Sequence, residues 1–386
     1  MRYPYPIAFA IQSAATAVRF LEQVLSPKQP SLGEFRNFLL LQHPQALGTA
    51  IHITPLIPTL HASVPGARIA ALAGGFAFDV LSGNPGLERL IATPSPLRDL
   101  RGAVRALRAA NIFAGEPYAV LQTLGNERTL VTVSAMLGGA RTRVGFSVLP
   151  ALSTASLEFD PRFSQIANNL RLIEVLGHGE ALHRALAEQP DLMEPQVFPS
   201  TEQTHRAQAL LQEAGVDSSL PIAIFVTQTS PTQRKSWRAE RFRVVAETLH
   251  RQYGMQIVFV GTAAESSAIE ALRAGLSFST TSVAGRTSLL ELSALMGFAD
   301  VALTLDTGPL HLLRAMRVPV VIIAPAWSPP VEWLPLGNPR ARILKNADMP
   351  EATQDYIIDE VTVAEVEQNL HELLTLYPPR TFSWRV

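Results

Sequence analysis

The 386-residue sequence contains no cysteine, which removes disulfide frameworks, thiolate nucleophiles, zinc–thiolate sites and iron–sulfur clusters together. Charge is also scarce, at 17% of residues against about 25% in an average soluble domain. The charges nearly cancel: 32 Lys and Arg against 33 Asp and Glu leave a net −1. Binding a phosphate backbone needs clustered positive charge, and no extended basic run is present, so nucleic acid is not an expected partner. No stretch approaches the roughly 20 apolar residues that cross a bilayer. Three motifs are missing as well: Gly-x-Gly-x-x-Gly, the Walker A loop and Gly-x-Ser-x-Gly. Dinucleotide, P-loop and serine-hydrolase readings therefore have no support. The nine histidines form no metal pattern, since even His178 and His183 miss the one-face helical spacing. No metal is expected.

What is present is hydrophobic residues at 47% and enough length for two domains of about 150–200 residues. Residues 7–25 form an apolar helical stripe through Ile7, Ile11, Val18, Leu21 and Leu25, bounded by Pro4, Pro6 and Pro27. Gln12, Ser13 and Arg19 interrupt it too often for a secretory signal. The expectation is a helix packed on the protein's own surface or on a second subunit. A membrane-surface anchor is the alternative, set back by the lack of Lys and Arg on its polar face.

Strands and helices then alternate. Phe38–Leu41, Arg68–Ala73, Pro117–Gln122 and Arg141–Phe146 are short apolar strands. Helices are expected at about Ala50–Ala62, Leu97–Ile112 and Gln165–Leu176. Arg98, Arg101, Arg105 and Arg108 share one face of the second, where a solvated surface or an anion site would account for them. Residues 187–220 carry three prolines in AEQPDLMEPQVFPSTEQ and read as a linker. The alternation resumes with strands at Ile222–Thr227, Met255–Val260, Val301–Leu305 and Val318–Ala324, and helices at Ala239–Tyr253, Ser288–Gly297 and Val363–Leu376. Apolar strands separated by helices predict parallel sheets covered on both faces. Two such α/β halves place a ligand in a cleft between them, at the carboxyl ends of the strands.

The polar chemistry gathers in loops after strands. Asp306-Thr307-Gly308-Pro309-Leu310-His311 follows VALTL and opens a helix. Backbone N–H groups at a helix N-terminus suit phosphate oxygens. Gly308 allows close approach, Thr307 offers a hydroxyl, and Asp306 could accept from sugar hydroxyls. An Asp cap and a core histidine explain the same residues equally well. Thr227 to Trp237, with Thr229, Ser230 and Lys235, is a second phosphate-compatible loop. Gly261 to Glu265 is a third, with Glu265 either a ribose acceptor or a first-turn helix charge.

Together these segments resemble glycosyltransferase family 9, the lipopolysaccharide heptosyltransferases. The block VAGRTSLLELSALMGFADVALTLDTGPLHLLRAMRVPVVIIAP is similar to the family's donor-binding region. Lys235-Ser236-Trp237 resembles its Lys-x-Trp, and LGTAIHITPLIPTLHASVPGARI its first loop and helix. The resemblance implies the GT-B fold, two Rossmann-like domains facing a cleft, here with an extra N-terminal helix. It implies metal-independent transfer of a sugar, heptose-like, from a nucleotide diphosphate, commonly ADP-heptose, to a lipopolysaccharide-core or other cell-envelope glycan. No cofactor beyond the nucleotide sugar is implied. The expected location is bacterial cytoplasm, with peripheral contact at the inner membrane left open. Thr229 or Ser230, Lys235, Thr307, Gly308 and His311 would hold the diphosphate. Glu265 would hold the ribose, and Asp306 would lie near the sugar.

One departure bears on catalysis. The family's first loop ends in Gly-Asp, whose carboxylate is its catalytic base, and this chain has Gly48-Thr49. The family's arginine five residues earlier is His43 here. A histidine of ordinary pKa, about 6.5, is a competent base, so His43 or His52 could replace the carboxylate. Otherwise the chain is a non-catalytic relative that binds a nucleotide or glycan. Ala324-Pro325-Ala326 also stands where the family has Phe-Gly-Pro. The expected segments are a helical extension over 1–37, an acceptor-side domain over 38–190 and a linker over 191–220. A donor domain over 221–350 and a C-terminal helix and tail over 351–386 complete the chain.

Overall fold

A computed structural model of the chain describes residues 5–25, 28–44, 46–229, 235–326, 330–345 and 356–380. It divides into two compact units, residues 1–196 and 197–386. The first begins with α1 (Tyr5–Leu25), β1 (Asn37–Gln42), α2 (Leu47–Ile51), α3 (Leu56–Ser63) and β2 (Arg68–Ala73). It continues through α4 (Phe76–Leu81), β3 (Arg89–Ala92), α5 (Leu100–Ala110), β4 (Ala119–Gln122) and α6 (Thr129–Leu137). It closes with β5 (Thr142–Phe146), β6 (Ala155–Leu157), α7 (Gln165–Val175) and α8 (Gly179–Glu188). The strands form a six-stranded sheet in the order β3-β2-β1-β4-β5-β6, parallel throughout, with Leu40 opposite Ala71 on one side and Leu121 on the other. All six residues of β1 are buried, because a strand covered by helices on both faces has no polar side to show.

The second unit repeats the plan. Its elements are α9 (Thr201–Glu213), β7 (Ile222–Val226), β8 (Lys235–Ser236), α10 (Ala239–Tyr253), β9 (Gln256–Phe259), α11 (Ser266–Arg273) and β10 (Thr281–Ser282). There follow α12 (Leu289–Gly297), β11 (Val301–Leu305), α13 (Gly308–Ala315), β12 (Val320–Ile323), α14 (Pro330–Trp333), β13 (Ala341–Leu344), β14 (Tyr356–Ile357) and α15 (Val363–Leu376). The sheet order is β10-β9-β7-β11-β12-β13, again all parallel, and β8 pairs with β14 apart from it. In both sheets the chain starts in the middle and winds outward to each side. The order reverses between β1 and β4 and between β7 and β11, and the crevice at such a switch point is where doubly wound sheets bind ligands.

Four expectations need correction. The single helix foreseen over Ala50–Ala62 is two, α2 and α3, because Pro55 has no N–H to continue the ladder and becomes the cap of α3 instead. The stretch 191–220 is not a plain linker. It contains α9, held by a capping box in which Ser200 Oγ accepts from Gln203 N–H while the Gln203 side chain accepts from Ser200 N–H. The division of the chain falls at 196/197, before that helix. The C-terminal helix is not an appendage either: Val366, Leu370, Leu373 and Leu374 of α15 are buried in the second unit's core with Phe242 and Leu249 of α10. In α1 the described part of the apolar stripe does not face the protein, since Val18, Leu21 and Leu25 are exposed and Ala15 is buried; the Ile7 and Ile11 side chains lie outside the described residues.

Candidate functional site

In the second unit the sequence-derived site residues converge at the switch point. Lys235, just beyond the loop after β7, sends its Nζ to Asp306 Oδ2 at 3.0 Å. Asp306 terminates β11, and its side chain is 10% exposed against 1% for Lys235. An ion pair this far from water costs desolvation on both members, which its Coulomb attraction offsets only when the geometry is good. Burial pushes the Lys235 ammonium below its ordinary pKa, and Asp306 works against that shift. Thr229 Oγ1 donates to the Lys235 carbonyl at 2.9 Å, tying the two ends of the loop together. Ser230 lies outside the described residues.

Thr307 caps α13 without a side-chain cap bond, and Gly308 is the helix's first residue. Both Thr307 and His311 are buried. Burial pushes His311 down to about 4. The charge of Asp306 opposes the shift, while Arg314 and Lys235 reinforce it. Its ring centroid lies 6.2 Å from that of Trp333 in α14. Glu265 follows β9, the other neighbour of β7, but its Oε2 accepts from Thr262 N–H at 2.7 Å in a capping box. The Glu265 side chain thus caps the turn that leads into α11.

The first unit has its own polar cluster at the β1/β4 switch. His43 follows β1, and its backbone N–H donates to Asn126 Oδ1 at 2.5 Å. Asn126 Nδ2 donates to Gln42 Oε1 at 2.8 Å, Thr123 Oγ1 donates to the same oxygen at 3.0 Å, and all four residues are buried. Buried polar groups of this kind stay fixed only while their bonds are made. Among the described residues the His43 Nδ1 has no hydrogen-bond partner, and a Cβ added at Gly74 would come within 3.3 Å of it. Burial alone pushes His43 from 6.5 to about 4. This corrects the ordinary pKa expected for it: the imidazole is neutral at pH 7, but much less basic than a solvated one.

Thr49 and His52 are both buried and sit on one short helix, Thr49 within α2 and His52 as its cap. The Thr49 methyl occupies the space beside Gly125, where a Cβ would lie 2.3 Å from Thr49 Cγ2. The Asn126–Gln42–Thr123 network was not foreseen. Its one trace in the sequence is that glutamines, Gln42 and Gln122, follow the apolar runs of β1 and β4.

Residues 180–358 match the sequence profile of glycosyltransferase family 9 (heptosyltransferase). This region is a family 9 domain. The curated lipopolysaccharide core heptosyltransferase OpsX of Haemophilus influenzae is 29% identical over 117 residues, 30% of this chain and 33% of that protein. The match thus spans about a third of the relative's length. Among solved structures, a family 9 glycosyltransferase from Veillonella parvula superposes with a TM-score of 0.76 at 19% identity, covering 89% of this chain and 98% of that one. The ADP-heptose lipopolysaccharide heptosyltransferase II of E. coli gives 0.68 at 19% identity, covering 88% and 98%. At such identities the likeness speaks for the fold, which is GT-B: two Rossmann-like units in one chain. Among the described residues no group of three or more His, Asp or Glu is placed to hold a metal ion.

Proposed function

We propose that the protein is a glycosyltransferase that moves a heptose-like sugar from a nucleotide diphosphate, ADP-heptose foremost, to a lipopolysaccharide-core or related envelope glycan. The observation that carries the reading is the buried Lys235–Asp306 pair at the start of α13, inside the region that matches the family. A departing diphosphate develops negative charge, and preorganised donors in a water-poor site are the strongest way to stabilise it. The Lys235 ammonium, the Thr307 hydroxyl and the first N–H groups of α13 are such donors. Asp306, released in part from Lys235 by the phosphate, is then available to the sugar hydroxyls.

The acceptor hydroxyl must also lose its proton. His43 is neutral and its Nδ1 has no partner among the described residues, yet a base of pKa about 4 lies well below the optimum for work near pH 7. That observation, with Thr49 packed against Gly125 in place of a carboxylate, favours a second reading: a relative that binds the nucleotide sugar without transferring it. Thermal-shift titration with ADP, UDP and GDP, followed by transfer assays on the parent, His43→Ala and Thr49→Asp, separates the two. A stabilising shift with ADP and a turnover reduced about 100-fold in His43→Ala support transfer with His43 as base. A silent parent that gains turnover in Thr49→Asp supports the second reading. No stabilisation by any nucleotide refutes both.

A further inference from the structure

Lys235 is one of three lysines in a chain with 32 basic residues, and the strand that carries it has little to hold it. β8 is two residues long and lies apart from the six-stranded sheet. Among the described residues it pairs with β14 alone, another two-residue strand, with Lys235 opposite Tyr356 and Ser236 opposite Ile357. The Ile358 N–H adds a bond to the Ser236 carbonyl at 2.8 Å. An isolated pair of strands this short is not stable in water. An ammonium on a flexible four-carbon stem keeps one place only if the backbone under it is fixed. Asp306 follows β11 in the main sheet, so the two charges ride on strands that are not paired with each other.

The hold on β14 comes from three side chains that follow Lys235. Trp237 is buried against Phe242, edge to face at 4.9 Å, and donates Nε1–H to the Val361 carbonyl at 2.9 Å. Arg238 pairs with the Asp359 carboxylate. Arg241, in the first turn of α10, donates through Nη1 to the Asp359 carbonyl at 2.9 Å and to the Val361 carbonyl at 2.7 Å. Its Nη2 lies 3.3 Å from Asp359 Oδ1, and its guanidinium carbon stands 6.0 Å from the centre of the Trp237 ring. Ile358 and Val361 of the same segment are buried in the core of the second unit. These contacts are not equal. The Arg238–Asp359 pair is 49% and 43% exposed, and exposed pairs contribute little. The Arg241 bonds to the two carbonyls are charge-assisted, the stronger kind.

We propose that Arg241 is a positioning residue: by gathering the carbonyls of residues 359 and 361 it keeps β14 on β8, and thereby keeps the Lys235 ammonium on Asp306. None of its bonds reaches that pair, so it acts through the strand. The consequence for a nucleotide diphosphate rests on the donor role proposed for Lys235, whereas the clamp itself belongs to the ligand-free protein.

Pulse acetylation of the ligand-free full chain with an N-hydroxysuccinimide ester, read lysine by lysine by peptide mass spectrometry, tests it. In the parent Lys235 is shielded, its side chain being 1% exposed. Arg241→Met raises the Lys235 rate by about tenfold or more and leaves Lys28 and Lys345 unchanged. Arg241→Lys raises it as well, since a single ammonium does not replace the fork. Asp359→Asn, which removes only the exposed ion pair, stays within about fivefold of the parent. Ile269→Ala, a cavity in the same core on α11, lowers the melting temperature as much or more and leaves Lys235 shielded, which separates the clamp from general loss of stability. An unchanged Lys235 rate in both Arg241 variants overturns the proposal, as does an equal rise in Ile269→Ala. A rise in Asp359→Asn that matches Arg241→Met overturns it too, and assigns the hold to the ion pair. ADP titration of the same proteins reads the donor role separately: Arg241→Met weakens Kd by about fivefold or more, and a parent that does not bind ADP refutes the donor role while the labelling still decides the clamp.

Discussion

Neutralising Asp306 tests the centre of the proposed donor site most directly. The carboxylate faces Lys235 Nζ at 3.0 Å, with side chains 10% and 1% exposed. Asp306→Asn therefore leaves an ammonium buried against a neutral amide. Breaking a buried pair from one side costs about 3–5 kcal/mol. For a unit of this size each kcal/mol moves the melting temperature by about 2–4 °C, so the expected fall is about 6–20 °C. Lys235→Met, which strands the carboxylate instead, should cost a similar amount. The double variant Lys235→Met/Asp306→Leu removes both charges and should be no worse than either single change, because the penalty comes from the unpaired charge. The pH dependence adds a second check. Burial already holds Lys235 below its ordinary 10.5 with Asp306 opposing, so losing Asp306 lowers it further. A group depressed in the folded state contributes its full stability above the unfolded pKa, and that stability falls away as pH drops through the folded one. Asp306→Asn should therefore gain more stability than the parent between pH 7 and 9.5 and recover part of its deficit. Differential scanning calorimetry at both pH values reads all four proteins. Single variants melting within about 2 °C of the parent, or a double variant whose loss equals the sum of the singles, would refute the account of a dry, mutually dependent pair.

Two further outcomes follow from the same structure. His43 and His311 are each held at about 4 by burial, from an ordinary 6.5. Their contribution is complete above pH 6.5 and is lost as pH falls toward 4, by about 3 kcal/mol for each. Urea midpoints at pH 7, 6, 5 and 4 should decline across this window and decline less in a His43→Asn variant; a flat profile would count against the burial of both rings. Gly125 holds φ +80° with its α-hydrogen turned toward Thr49, so Gly125→Ala should cost about 1–3 kcal/mol from overpacking and backbone strain, and Thr49→Ala in the same chain should recover the overpacking share. An unchanged melting temperature in Gly125→Ala would show that the contact is soft.

The sequence by itself determined the elements whose residues have one face to satisfy. Continuous apolar runs such as Ile222–Val226 and Val320–Ile323 are buried on both sides, and no other environment absorbs four or five such side chains in a row. Hence the parallel α/β plan and the strand-end loops that carry Lys235, Asp306, Thr307 and His311 could be read from the residues and their order. Edge strands could not. Residues of Arg89–Ala92 are half to fully exposed, so their composition carries no burial signal, and it is pairing with β2 that makes them a strand. The helix α9 was hidden by the prolines before it, although its capping box from Ser200 to Gln203 is written in the sequence.

Three matters were decided only by the tertiary structure, and each depends on what is withdrawn from water. The basicity of His43 follows from its desolvation at the β1/β4 switch, which no neighbour in sequence reveals. The union of Lys235 with Asp306 joins residues 71 positions apart, and only the adjacency of β7 and β11 makes them partners. The orientation of α1 is the clearest case. Its apolar stripe, judged alone, belongs inward, but Arg143 is buried on the sheet and a buried guanidinium needs a carboxylate. Glu22 provides it, and an unpaired charge in the interior costs more than a row of leucine, valine and phenylalanine left outside. The helix therefore turned its charged side in, and the apolar side was left to face whatever lies beyond the protein.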